Sequence, residues 1–75
     1  MNEEQKKLKI VGMALYGPRW QTNLARALTL SDARRVRQWM SGDRPIPGGL
    51  WPYLIDEMTI RKLAIDAAID RLKTD

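Results

Sequence analysis

Apolar residues recur at intervals of three and four along most of the chain, the spacing of one helix face. No stretch of five or more alternates apolar and polar residues in strand fashion with turn signals on both sides. Leu8, Val11 and Leu15 form the first stripe and predict a helix from Glu3 to Tyr16. Asn2 can cap it, Glu3 and Glu4 suit the positive end of its dipole, and Gly17-Pro18 stops it. Gly12, inside this helix, is either a weak point or a place of close packing. Trp20, Leu24 and Leu28 share a face and predict a second helix over Arg19 to Leu28, with Ala25 small enough to let another helix approach. Ser31 or Asp32 can cap a third helix, which reaches Met40 and turns Ala33, Val36, Trp39 and Met40 inward. Gly42 sits where a left-handed cap is wanted, and the Pro- and Gly-rich run Asp43 to Gly49 reads as a loop.

The fourth helix is expected from about Leu50 to Lys73, with Pro52 tolerable in its first turn. Its main apolar stripe is Leu54, Met58, Ile65, Ile69 and Leu72. A second stripe, Ile60, Leu63 and Ala67, lies nearly opposite. One small domain cannot easily cover both sides of a helix. Either the second stripe is a dimer surface, or a bend near Thr59 turns both stripes inward. The expectation is therefore an all-α, four- or five-helix helix-turn-helix domain. It fills residues 1–75 as a single compact unit, with residues 50–75 as a C-terminal helix available for dimerisation.

Composition narrows the function. With 75 residues there is room for one domain of marginal stability, for which oligomerisation is a common remedy. Apolar residues make up 44% and charged residues 29%, a globular balance rather than a disordered one. No window approaches the roughly 18 apolar residues of a membrane span. The acidic Met1-Asn2-Glu3-Glu4 start has no signal-peptide character, so a cytoplasmic location is expected. The absence of Cys and His removes disulfides, most metal centres and the usual nucleophile–base pairs. Asp66 and Asp70 lie four apart on a helix, but an exposed face accounts for them better than a cation site does. No cofactor is expected, and an enzyme is the weakest class.

The net charge of +4 is unevenly spread. Residues 1–49 hold nine Lys or Arg against four Asp or Glu, whereas residues 50–75 hold four against five. All six basic residues between Arg19 and Arg44 are Arg, which suits two-pronged contacts to phosphate and guanine. At about 100° per residue, burying Val36 turns Arg34, Arg37, Gln38 and Ser41 outward, with Arg35 on the flank. Two short helices joined by a tight turn, the second carrying donors outside, fit the DNA major groove. Leu24, Ala25, Leu28, Leu30, Val36 and Trp39 supply the small and apolar crossing between them.

The ordered run Trp20-Gln21-Thr22-Asn23-Leu24-Ala25-Arg26-Ala27-Leu28, Leu30-Ser31 and Arg34-Arg35-Val36-Arg37-Gln38-Trp39 resembles the helix-turn-helix of λ-repressor-like, phage-type regulators. The ending Gly42-Asp43-Arg44-Pro45-Ile46-Pro47 is similar to that group's "W-x-x-G-x-R-x-I-P" pattern. The resemblance covers residues 16–54. It implies a helical domain, often dimeric, that binds an inverted repeat and represses transcription. It also implies a phosphate contact for Gln21 and base reading by Arg34, Arg35 and Gln38. Two departures stand out. Thr29 occupies the usual turn glycine, and the Leu30–Val36 spacing is one residue longer than is common.

The expected roles follow. Arg34 and Arg35 would read guanine and Gln38 adenine. Arg19, Gln21, Thr22, Arg37, Ser41 and Arg44 would touch phosphates. Ile60, Leu63 and Ala67 would form the dimer interface. Trp20 and Trp39 fall on apolar faces and read as core rather than as base-stacking platforms, and Trp51 is expected to pack at the start of the fourth helix. The expected partners are double-stranded promoter DNA and a second copy of the chain, with no membrane. The competing reading is a protein-interaction module, an antitoxin or adaptor that docks through the fourth helix.

Overall fold

The first helix begins and ends for local chemical reasons. In the computed structural model, which describes residues 1–74, α1 spans Glu3–Tyr16. Asn2 caps it reciprocally. Its Oδ1 accepts from the Gln5 N–H at 2.8 Å, and the Gln5 side chain accepts from the Asn2 N–H at 2.9 Å. Gly17 ends α1 with φ at 77°, a region closed to most side chains. Gly17–Arg19 then form a single 3₁₀ turn with Pro18 at its start. That turn takes Arg19 out of the second helix, so α2 is Trp20–Ala27, one residue shorter at each end than its pattern suggests. α3 spans Arg34–Ser41 and α4 spans Leu50–Thr74.

The chain is all-helical, with no strand among the described residues. Its core holds Leu8 and Leu15 from α1, Trp20, Leu24 and Ala25 from α2, and Val36 and Trp39 from α3. Ala33 and the α4 residues Leu50 and Leu54 complete it. Both Trp20 and Trp39 are buried, as their helix faces require, and Trp51 is half-buried. The two open possibilities for Gly12 resolve in favour of close packing. A Cβ at Gly12 would fall inside the Trp20 indole. Bare backbone is the space in which this ring fits.

Two polar contacts set the remaining angles. Buried Gln5 donates from Nε2 to the Trp39 carbonyl at 3.3 Å, tying the start of α1 to the last turn of α3. Arg61 of α4 donates to the Leu15 carbonyl at 3.1 Å and lies 5.2 Å from the centre of the Tyr16 ring. It thus places a cation at the negative end of α1 and over an aromatic face. Burial raises the pKa of the Tyr16 hydroxyl, aided by neighbouring Tyr53 and Glu57 and opposed by Arg61.

The expectation of a single compact packing needs correction. α1, α2, α3 and the start of α4 form a body, and the rest of α4 stands clear of it. The overall dimensions are 50 × 25 × 21 Å. Of the main α4 stripe, Leu54 is buried and Met58 half-buried, but Ile65, Ile69 and Leu72 are exposed. The second stripe, Ile60, Leu63 and Ala67, is exposed too. No bend near Thr59 turns the stripes inward, because both are exposed beyond it along the continuous helix. Among the described residues the last polar contact between α4 and the body is that of Arg61 with Leu15 and Tyr16. Exposure therefore does not set Ile60, Leu63 and Ala67 apart from Ile65, Ile69 and Leu72. Among the described residues no helix is long and apolar enough to cross a membrane.

Gly12→Ala is expected to destabilise the fold by about 1–3 kcal/mol, because a methyl group driven into a packed ring outweighs the helix propensity gained. Urea unfolding checks this; a raised midpoint would show that Trp20 moves aside freely.

Candidate nucleic-acid interface

The connection between α2 and α3 is built from backbone hydrogen bonds. Leu30 N–H donates to the Ala25 carbonyl at 2.9 Å, and Thr29 N–H donates to the Arg26 carbonyl at 3.0 Å. This pair of bonds is a Schellman cap, which needs a left-handed residue between its two arms. That residue is Thr29, with φ at 59°, the one non-glycine with positive φ among the described residues. The position therefore keeps the glycine conformation with a β-branched side chain in it, which is strained. Asp32 accepts the Arg34 N–H at 2.8 Å in a local turn, and the capping position of α3 falls on Ala33 rather than on Ser31 or Asp32.

Burial of Ala33, Val36 and Trp39 decides which way α3 faces. Arg34, Gln38 and Ser41 lie opposite the buried side, and Arg35 and Arg37 flank them on either side. Arg34, Arg35, Arg37, Ser41 and Arg44 are exposed, and Gln38 is partly so. Gly42, with φ at 87°, ends α3, and Arg44 N–H returns to the Gln38 carbonyl at 3.2 Å. This return brings the Arg44 side chain back towards the start of α3. Leu30, Ser31, Asp32, Arg34, Arg35, Gln38 and Arg44 consequently line one recess of about 280 Å³.

The expected site residues are therefore only partly gathered. Arg34, Arg35, Gln38 and Arg44 share the recess. Thr22 lines an adjoining hollow at the turn, together with Arg26, Thr29 and Ala33. Arg37 stands outside the recess, on the other flank of α3. Ser41 turns its hydroxyl to its own chain, donating to the Gln38 carbonyl at 3.2 Å and accepting from Asp43 N–H at 3.4 Å. Arg19 and Gln21 line neither hollow. Arg26 is the residue the sequence reading passed over. Its signal was present, as the one arginine of the Arg19–Arg44 run without an assigned role. Asp32, expected as a cap, lines both hollows.

Among the described residues the one ion pair is Lys6–Glu3, 3.6 Å apart. None of the α3 arginines is neutralised by a carboxylate. The recess thus gathers three arginines and one amide beside a single acidic residue, Asp32, a mainly donor set that matches phosphate oxygens and purine edges. The chain matches no family model, no curated protein and no solved structure.

Thr29→Gly is expected to stabilise the protein by about 0.5–1 kcal/mol. Relief of left-handed strain exceeds the added freedom of glycine in the unfolded chain. A higher urea midpoint with an unchanged slope checks this; a lower midpoint would mean that the threonine side chain contributes packing that outweighs its strain.

Proposed function

We propose that this chain is a sequence-specific double-stranded DNA-binding regulator of transcription, a phage-type repressor that works as a homodimer on an inverted repeat in the cytoplasm. α2 crosses the DNA backbone, and α3 enters the major groove. The observation that carries this reading is the gathering of Arg34, Arg35, Gln38 and Arg44 around one open recess on the side of α3 opposite buried Val36 and Trp39. Free guanidinium groups on a helix with a buried back are what a groove-reading element needs.

Within this reading Arg34 and Arg35 bond guanine O6 and N7, and Gln38 bonds an adenine edge. Arg44, Arg37 and Thr22 hold phosphates on the two sides of the groove, and Arg26 joins them beside the turn. Arg19 and Gln21 contact the backbone further out.

The test is selection of bound sites from a random duplex pool, followed by titration at several salt concentrations. Enrichment of a symmetric site supports the reading, and binding without preference at every salt concentration defeats it. Arg34→Ala should cost about 1–3 kcal/mol at one base pair and relax specificity there. Arg37→Ala should weaken all sequences alike and lower the salt slope by about one. If the two variants exchange these behaviours, the roles of the two arginines are reversed.

A further inference from the structure

We infer that α4 joins two copies of this chain by packing antiparallel against α4 of the second copy, through Met58, Ile65, Ile69 and Leu72. The inference deepens the homodimer of the proposed function and does not depend on DNA. Ile65 is 60% exposed and Leu72 is 81% exposed, on the face that starts in the body at buried Leu50 and Leu54. Where that face leaves the body it opens an apolar groove of about 440 Å³ between Ala14 and Leu15 of α1 and Met58 and Ile65 of α4. The core of the body is thus unfinished at one edge, and the same helix carries more apolar surface of the kind that would finish it.

Sterics select the direction. The body sits on the same face of α4 as Ile65 and Leu72. Two parallel helices joined by this face would drive both bodies into one volume. Antiparallel helices place the bodies at opposite ends. With Ile65 near the two-fold axis, Leu72 of the second copy comes level with Met58 and enters the groove.

Charge supports the same register. Glu57 and Arg71 flank one side of the seam, and Lys62 and Asp66 flank the other. Among the described residues none of these four makes an ion pair. In the antiparallel register Glu57 meets Arg71 of the second copy, and Lys62 meets Asp66 of the second copy. Arg61, which falls within the seam, is already turned to the Leu15 carbonyl and the Tyr16 ring. Its charge is therefore already partnered where it lines the groove. The stripe at Ile60, Leu63 and Ala67 stays outside.

This register also fixes a length. The two Leu54 positions lie about 22 residues of helical rise apart, about 33 Å. One turn of duplex DNA is about 34 Å. The points at which the paired helices enter their bodies are therefore separated, along the seam, by a length close to one groove repeat.

The test is the mass of the full chain in solution without DNA, by sedimentation or light scattering at rising protein concentration, with helicity followed by circular dichroism. A dimer is expected. Ile65→Glu and Leu72→Glu should each make the protein monomeric with helicity retained, while Leu63→Glu should leave the dimer intact. Glu57→Arg and Arg71→Glu should each weaken the dimer about fivefold or more, and the double exchange should restore it. A wild-type monomer at all concentrations overturns the inference. So does dissociation by Leu63→Glu but not by Ile65→Glu, or a double exchange that fails to restore the dimer. A dimer that behaves as expected but has no duplex preference keeps this inference and removes the DNA reading. A monomer with duplex preference does the reverse.

Discussion

Four aliphatic side chains, one from each helix, hold this molecule together. Leu8, Leu24, Val36 and Leu54 are the largest residues with less than 2% of their surface exposed. Burying each is worth about 1.5–3 kcal/mol, a large fraction of the stability open to a chain this short. The consequences spread outward from them. Val36 cannot be inside unless Arg34 and Gln38 are outside. Leu24 cannot meet Val36 unless the chain reverses within a few residues, and Thr29 accepts a left-handed backbone to allow it. Leu54 draws the first turns of α4 into the core, and past Arg61 the helix is left exposed.

Much of this was legible along the chain because it is local. Asn2, Gly17 and Gly42 act on the backbone beside them, so three of the helix ends could be read from them directly. The outward face of α3 follows from periodicity alone, since geometry leaves one choice once Val36 and Trp39 are inside. The limits of legibility are equally physical. Gly12 is meaningful only because Trp20 arrives from another helix. Buried Gln5 looks like any solvated polar residue until the Trp39 carbonyl is brought to it across 34 positions. Periodicity reports which residues share a face, but not whether anything covers that face, and so it did not foresee that α4 would outrun its body. In the candidate site, the clustering of Arg34, Arg35 and Gln38 was readable from spacing. The return of Arg44 to join them was not, because it depends on the path of the loop after Gly42.

The distribution of charge acquires a structural meaning. The arginine-rich half of the chain forms the body and its recess, while the slightly acidic half is mostly the protruding helix. The two regions present different chemistry to their surroundings: a donor-rich hollow on one, and apolar stripes edged by mixed charges on the other. Different recognition tasks can therefore be carried by surfaces that share little beyond the core.

Arg61 sits where the helix leaves its support, and this gives one side chain unusual leverage. Thirteen residues follow it to Thr74, an arm of about 20 Å, so a tilt of about 10° at that pivot swings the tip by about 3.5 Å. Its grip on the Leu15 carbonyl and the Tyr16 ring works as the set-screw of the arm. Exchanges at Tyr16 or Arg61 can thus retune the reach of the whole molecule while leaving every arginine of the recess where it is.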